Sequence, residues 1–289
     1  MNSITIEAYA KINLGLDVIR KREDGYHDVC MIMQSLELHD TITISKASSA
    51  EISIQTNLRY LPRDKGNLVY KATDLFLKTI SVKEGLSIRL NKKIPVAAGL
   101  AGGSSDAAAT LMGLNELYGA GLTKEELMKL GVKLGADVPY CIMLGTALSE
   151  GIGEVLTPLT AMPECSILLV KPDISVSTKY VYENLHLTPL TLHPDINKMK
   201  EALSTGDLQS LADNMDNILQ SVTIHDYPII TDIKNKMKEL GALVSLMSGS
   251  GPTVFGIFKS PELARKACRY FETNRYYGKK VFLTNPYWP

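Results

Sequence analysis

A run of small residues that passes directly into an alanine-rich stretch, PVAAGLAGGSSDAAA at residues 95–109, limits most strongly what this chain can form. Its three glycines lack Cβ atoms, so backbone N–H groups around them can crowd against an anion. Their spacing does not fit GxGxxG, and no Gly-Lys-Ser/Thr follows. We interpret the run as a phosphate-binding loop; the alternative is a tight strand-to-helix turn in which small residues allow close packing.

The alanines after this loop predict a helix, with Ser104 or Ser105 as its N-cap and Gly119 at its end. The N-terminus of that helix would point at the same anion as the loop. Asp106 falls in the first turn, where an acidic side chain either points away from phosphates or binds a metal ion.

Three other features carry chemistry only in combination. Lys11 lies among apolar residues between two predicted strands, residues 4–9 and 12–18, and Asn13 follows two residues later, so both side chains would project from one face; an edge lysine that blocks strand pairing is the alternative. The second small-residue loop, residues 248–253, could approach a ligand or simply join two strands as a hairpin. Asp137 follows a helix and precedes Val138-Pro139, which predicts an extended turn.

Composition excludes several classes of protein. The 289 residues carry 31 basic and 31 acidic side chains, so the chain is neutral and has no basic block typical of nucleic-acid binding. The four cysteines form no CxxC pair, which argues against a zinc site or a redox dithiol. Because no long apolar run occurs, we expect a cytoplasmic protein without a membrane partner.

The order of predicted elements indicates two domains, residues 1–160 and 161–289. The first begins with alternating strands, followed by an amphipathic helix at residues 67–80 and a capping box from Thr123 to Glu126. Prolines near residues 156–164 mark the boundary. The second domain reads β-α-β-β-α-β once its helices within residues 178–240 are taken as one layer, which is the order of a ferredoxin-like unit.

Four segments together closely resemble the GHMP kinase superfamily: AYAKINLGLDV, PVAAGLAGGSSDAAA, LGADVPY and MSGSGPTVFG. They occur in the superfamily's order, and the resemblance covers essentially the whole chain. It implies an α+β fold of two domains, in which the N-terminal half is like the second domain of ribosomal protein S5 and the C-terminal half is ferredoxin-like. The active site would lie in the cleft.

The resemblance also implies roles for individual residues. Asp137 would be the general base on the acceptor hydroxyl, and Lys11 would orient that hydroxyl and keep Asp137 ionised. ATP and Mg²⁺ would be the co-substrates, with the Mg²⁺ ligands unknown. The residues that would border the adenine or wrap the ATP phosphates are Asn67, Leu68, Lys92, Pro95, Val96, Ala97, Ala98, Gly99, Leu100, Ala101, Gly102, Gly103, Ser104 and Ser105.

The acceptor implied by the resemblance is a small molecule, a cytidylyl diphosphate sugar alcohol. Tyr26 and His27 would receive the cytosine ring, with Tyr182 on its other face, because a pyrimidine needs one group to stack and one to donate or accept hydrogen bonds. The remaining residues on the acceptor side would be Asn13, Gly249 and Ser250. The alternatives are a GHMP kinase for mevalonate or homoserine, which would have no use for such a clamp, a catalytically silent nucleotide sensor, and an RNA-binding module.

Overall fold

The computed structural model describes residues 1–186 and 193–289. The strands in these residues are β1 (Ser3–Lys21), β2 (His27–Ala47), β3 (Ile52–Thr56), β4 (Gly85–Asn91), β5 (Thr146–Gly151), β6 (Val155–Pro158), β7 (Ser166–Lys171), β8 (Val244–Met247), β9 (Val254–Phe258) and β10 (Lys280–Thr284). The helices are α1 (Leu68–Thr79), α2 (Gly102–Tyr118), α3 (Lys124–Val132), α4 (Val138–Met143), α5 (Thr178–Glu183), α6 (Ile196–Thr205), α7 (Leu208–Asp213), α8 (Gln220–Asp226), α9 (Ile229–Glu239) and α10 (Pro261–Thr273), followed by a 3-10 turn at Arg275–Tyr277.

The chain forms two compact units that are interleaved in sequence. Unit 1 comprises residues 1–10, 38–96 and 101–143, and unit 2 comprises residues 11–37, 97–100 and 144–289. The two long strands β1 and β2 therefore each contribute one part to each unit. The division at residues 160 and 161 stays a prediction.

Unit 1 contains the paired strands β3, β4 and part of β2, together with four helices, α1–α4, that pack on one another. β4 pairs in parallel with β3, and α1 makes the crossover between them; on its other side β4 pairs antiparallel with β2, with Thr41 opposite Asn91. α1 packs on α2, and α4 packs on both α2 and α3. The core is aliphatic and aromatic, since Ile42, Ile88 and Phe76 are fully buried.

The helix ends of unit 1 follow from local sequence. The Asn67 side chain caps α1 by accepting from the Val69 N–H at 2.9 Å, and Thr123 with Glu126 forms the predicted capping box. α2 ends at Gly119 in the left-handed region, as predicted. These ends were predictable because capping depends on neighbouring residues alone.

Unit 2 contains the predicted ferredoxin-like sheet. Its four strands lie in the order β10-β7-β9-β8, and every pair is antiparallel. α5–α9 connect β7 to β8, and α10 connects β9 to β10; within that first connection, residues 187–192 lie outside the described residues. The β-α-β-β-α-β prediction is confirmed.

Two parts of the sheets differ from the prediction. β1 is continuous where two strands were expected, because the side chains from Ala10 to Leu16 are all buried and the alternation of exposed residues stops. β6 occupies the first part of the segment interpreted as a boundary, and Pro158 is its last residue. A proline is tolerated there because a strand end does not need its N–H. In the described residues no helix is long and apolar enough to cross a membrane.

Candidate active site

The glycine loop, residues 95–105, has an unusual backbone. Gly99 has φ +74°, and two alanines also lie in the left-handed region, Ala97 with φ +50° and Ala101 with φ +54°. α2 begins directly afterwards, and no side chain caps it. The predicted Ser104 or Ser105 cap is therefore wrong: Ala101 stands at the N-cap, three residues before Ser104, and the Ser105 hydroxyl donates to the Tyr9 carbonyl at 2.6 Å.

An uncapped N-terminus leaves the first N–H groups of α2 without the side-chain acceptor that usually satisfies them. α2 has 17 residues, enough for a full helix dipole. Glycine and alanine around the N-terminus add no bulk beyond a methyl group. The arrangement is suited to an anion, with backbone N–H groups as the donors.

The two glycines at the start of α2 have different surroundings. A Cβ on Gly102 would lie 2.9 Å from Ile94 Cγ2 and 3.3 Å from Lys92 Nζ, whereas one on Gly103 would touch only Leu68 Cδ1 at 3.4 Å. Gly103 is also exposed. Gly102 is therefore required by packing within unit 1, and Gly103 presents bare backbone to the outside.

Lys92 lies in a buried charge cluster. Its ammonium group is 2.6 Å from Asp106 Oδ2 and 2.5 Å from Asp40 Oδ2, and Asp40 Oδ1 also accepts from the Ile94 N–H at 2.8 Å. Burial would by itself lower the pKa of Lys92, but the two carboxylates outweigh it and the net shift is upward. The ammonium therefore stays charged. Asp40 was not among the sequence-derived residues, although its place two residues before buried Ile42 puts a carboxylate on the core face of β2.

Asn67 and Leu68 lie at the start of α1. The Asn67 amide is occupied by the cap and by a hydrogen bond to the Pro62 carbonyl at 2.8 Å. Leu68 is half-buried, and its Cδ1 would lie 3.4 Å from a Cβ on Gly103. The structure thus brings Leu68 and the start of α2 together in unit 1.

In unit 2, Lys11 and Asn13 lie side by side on β1. The Lys11 ammonium donates to Asn13 Oδ1 at 2.9 Å, and Asn13 Nδ2 points at Met31 Sδ at 3.3 Å. Lys11 is only 5% exposed, so the alternative of an edge-blocking lysine is wrong. The Lys11 N–H also donates to the Leu100 carbonyl at 3.2 Å, which joins β1 to the glycine loop.

The second small-residue loop, residues 248–253, contacts the first. The Ser248 hydroxyl donates to the Gly99 carbonyl at 2.9 Å. A Cβ on Gly99 would lie 2.1 Å from the Ser248 carbonyl oxygen. The close approach of the two loops therefore leaves space only for glycine at position 99. Gly249 approaches Asn13, since its Cβ would lie 3.5 Å from Asn13 Oδ1.

The aromatic residues predicted as a base clamp include one ring pair. The rings of His27 and Tyr182 lie 5.1 Å apart at an angle of 36°. Tyr26 is 61% exposed, at a turn in which Asp24 accepts from the Tyr26 N–H at 3.0 Å. Burial, together with the charge of Lys21, lowers the pKa of His27, so its ring is neutral near pH 7.

Asp137 is half-buried on the turn before α4. Its carbonyl accepts from the Cys141 N–H at 3.0 Å and so begins that helix. The predicted extended backbone at Val138-Pro139 is wrong, because proline fits the first turn of a helix, where its missing N–H would have no partner. In the parts of the chain that the structure describes, no three His, Cys, Asp or Glu side chains gather closely enough to hold a metal ion.

The chain thus combines a 17-residue helix that no side chain caps, a small-residue loop with left-handed backbone before that helix, and, in unit 2, a ferredoxin-like sheet. The sequence pattern of the GHMP kinases N terminal domain matches residues 67–145, and that of the GHMP kinases C terminal domain matches residues 199–278. The chain belongs to the GHMP kinase family. ATP is the phosphate donor that such a kinase implies.

Among known proteins, the chain is 56% identical to a 4-diphosphocytidyl-2-C-methyl-D-erythritol kinase of Lachnoclostridium phytofermentans, over 98% of this chain and 97% of that protein. It is 52% identical to the protein of the same name in Lachnospira eligens, over the full length of both. A crystal structure of 4-(cytidine 5'-diphospho)-2C-methyl-D-erythritol kinase is 33% identical and superimposes with a TM-score of 0.84, covering 99% of this chain and all of that one.

Proposed function

We propose that the chain transfers the γ-phosphate of ATP to the 2-hydroxyl of 4-diphosphocytidyl-2-C-methyl-D-erythritol, a step of the non-mevalonate route to isoprenoid precursors. The names of relatives at 52–56% identity support this acceptor. Within the structure, the contact between His27 and Tyr182 carries the proposal, because a kinase for a small aliphatic alcohol needs no aromatic pair.

For the phosphate donor, we assign the backbone of residues 95–105 and the N-terminus of α2 to the ATP phosphates. Phosphoryl transfer needs little covalent help; it needs the phosphates fixed in line with the nucleophile and their charge balanced. Backbone N–H groups that are already in place can hold the phosphates and balance part of their charge. We assign Asn67, Leu68 and Lys92 to the adenine border, where Lys92 acts from its cluster with Asp40 and Asp106.

ATP enters as its Mg²⁺ complex in this proposal. Mg²⁺ commonly keeps several waters and is held largely by substrate phosphates. With that binding mode the protein needs no cage of carboxylates for the ion. The enzyme would work in the cytoplasm on a small molecule, without nucleic acid.

For the acceptor, we assign Asp137 as the general base and Lys11 as the ammonium that orients the hydroxyl. A carboxylate accepts the proton as the oxygen attacks, and a nearby ammonium favours the ionised carboxylate. Asn13 holds the Lys11 ammonium in place through the 2.9 Å hydrogen bond.

For the cytosine, we assign Tyr26, His27 and Tyr182, with Gly249 and Ser250 on the same side. A neutral imidazole has one donor and one acceptor nitrogen. It can therefore pair with the edge of a base while a tyrosine ring stacks on its face.

The test is a screen for ADP release by the purified protein with Mg²⁺ and ATP. The acceptors are the cytidylyl substrate, its uridylyl analogue, mevalonate and homoserine. We expect turnover of the cytidylyl substrate only, with the product phosphate identified by ³¹P NMR. Equal turnover of the uridylyl analogue, or turnover of mevalonate or homoserine in its place, would overturn the acceptor assignment.

A further inference from the structure

Asn217 is a fully buried amide in unit 2 that none of the assignments above includes. Its Nδ2 donates to the Met247 carbonyl at 2.7 Å and to the Gly249 carbonyl at 2.8 Å, and its Oδ1 accepts from the Leu219 N–H at 3.0 Å. Both amide hydrogens are used on backbone carbonyls. The orientation of the amide is therefore fixed, since the reverse would place its oxygen against two carbonyl oxygens.

The turn that carries Asn217 is attached to β1. The Leu16 N–H donates to the Asp216 carbonyl at 2.9 Å, and the Ile218 N–H donates back to the Leu16 carbonyl at 3.0 Å. Asp216 also accepts from the Asn217 N–H and from the Gln220 amide, both at 2.7 Å. The turn that carries Asn217 is thus hydrogen-bonded to the strand that carries Lys11 and Asn13.

The carbonyls that Asn217 holds flank Ser248, the first residue of the loop 248–253. Ser248 in turn donates to the Gly99 carbonyl at 2.9 Å. On the other side of this loop, the hydroxyls of Ser250 and Thr178 are 2.8 Å apart, and Thr178 begins α5, the helix of Tyr182. One loop therefore touches both the Gly99 segment and the helix of the proposed base clamp.

We propose that Asn217 is a positioning residue: by holding the 247 and 249 carbonyls, it sets the loop 248–253 in register with residues 97–100 on one side and with α5 on the other. The proposal rests on the proposed function. Gly249 and Gly251 both have positive φ, 57° and 88°, so the backbone of the loop has many accessible alternatives once its anchor is removed. A displacement of about 1 Å in a positioning element costs up to about a hundredfold in rate.

The matched control is Gln34, a second fully buried amide of unit 2. Its Nε2 donates to the Ser35 carbonyl at 2.8 Å and to the Tyr287 carbonyl at 3.1 Å, and its Oε1 accepts from Thr146 at 2.5 Å. Asn217→Ala and Gln34→Ala therefore each delete three hydrogen bonds, two of them from the side-chain amide nitrogen to backbone carbonyls; the third comes from a backbone N–H in Asn217 and from a threonine hydroxyl in Gln34. Only the first contacts the loop 248–253.

The experiment measures melting temperature, ATP affinity, kcat and both KM values for wild type, Asn217→Ala and Gln34→Ala. We expect similar falls in melting temperature, but a loss in kcat of about tenfold or more for Asn217→Ala only. Values of kcat and KM within about twofold of wild type in Asn217→Ala would overturn the proposal. So would an equal loss of kcat in Gln34→Ala.

A second variant covers the case in which Asn217→Ala does not fold. Ser248→Ala removes only the hydroxyl that bonds Gly99, and we expect it to fold and to reproduce the loss in kcat; full activity of this variant would contradict the proposal.

ATP titration by calorimetry separates the two proposals. If wild type binds ATP but does not turn over the cytidylyl substrate, the proposed acceptor is wrong, and a weaker ATP affinity of Asn217→Ala or Ser248→Ala still tests the role of Asn217.

Discussion

At the scale of single residues, the cluster of Asp40, Lys92 and Asp106 has two carboxylates for one ammonium. Asp40 has partners for both oxygens, including the Ile94 N–H. Asp106 Oδ1 is buried without a hydrogen-bond partner. A buried carboxylate oxygen without a donor is unfavourable as an anion, so any proton shared by this cluster is held on Asp106.

The stability of the protein should therefore depend on Asp106. Burial raises the pKa of Asp106 to about 8 from 3.8. The folded state binds this proton more tightly than the unfolded state. Protonated Asp106 therefore contributes fully to the free energy of unfolding below the unfolded pKa, and this contribution is lost as pH rises towards the folded pKa. Wild type should lose unfolding free energy between about pH 5 and about pH 9. We expect Asp106→Asn to lose less over the same range, by at least about 1 kcal/mol.

Urea unfolding of both proteins at the two pH values measures this difference. Asp74→Asn, which removes an exposed carboxylate on α1, is the control and should follow wild type. Identical pH dependence of wild type and Asp106→Asn would show that Asp106 is ionised throughout.

The assignment of Asp137 makes a separate prediction. Asp137→Asn keeps the volume of the side chain and removes its basicity, so kcat should fall by about 10² to 10⁴ while ATP affinity stays unchanged. Steady-state kinetics and calorimetry measure both quantities. Lys11→Met should also lower kcat, because Lys11 orients the hydroxyl in the proposal. A rate near that of wild type in Asp137→Asn would leave alignment of the substrates as the whole basis of catalysis.

At the scale of elements, the start of α2 separates packing from binding. From the sequence, Gly102→Val is expected to abolish ATP binding without loss of stability. The structure overturns the second part, because a Cβ there would lie 2.9 Å from Ile94. Gly103→Val is the better probe, since its Cβ would meet only the end of Leu68.

We expect Gly103→Val to weaken ATP binding by about tenfold or more while its melting temperature stays close to that of wild type, because the new side chain lies where phosphate oxygens need the backbone. Gly102→Val should lose stability first. Calorimetric ATP titration beside a melting curve measures both. A folded Gly103→Val with unchanged ATP affinity would favour the packing interpretation of the glycine loop.

The turn between β1 and β2 determines the proposed choice of acceptor. Tyr26→Ala should weaken the cytidylyl substrate by about 1 to 3 kcal/mol, the value of one stack between a base and an aromatic ring, and leave the KM for ATP unchanged. His27→Ala should reduce discrimination between cytosine and uracil, which differ in donors and acceptors at the ring edge. Tyr276→Ala, at a tyrosine that is equally exposed at 64%, should change neither. If Tyr26→Ala raised only the KM for ATP, the assignment of Tyr26 to the cytidylyl substrate would be wrong.

At the scale of the whole molecule, the two units share β1 and β2. Neither unit can unfold completely without disrupting strands that the other uses. We therefore expect one cooperative unfolding transition. The single tryptophan, Trp288, belongs to unit 2, so its fluorescence reports on that unit, and far-UV circular dichroism reports on both. Coincident urea transitions are the expected result; a tryptophan transition separate from the circular dichroism transition would show that the units unfold independently.

The sequence determined the features that depend on neighbouring residues. The helix of residues 67–80, the capping box at Thr123 and the ferredoxin-like order of elements were predicted, because caps and periodic burial act over one or two turns of chain. The projection of Lys11 and Asn13 from one face was predicted for the same reason, since residues two apart in a strand share a face.

Only the tertiary structure decided the features that join distant segments. The contact of Lys92 with Asp40 spans 52 residues, and the bond from Ser248 to Gly99 spans 149. The start of α2 at Gly102, without a serine cap, follows from a backbone whose conformation depends on such contacts. The same holds for three other features: the burial of charge, the loss of alternation in β1 and the anchoring of a loop by Asn217. Each depends on which surfaces meet in the folded chain, and the packing of whole elements determines which surfaces meet.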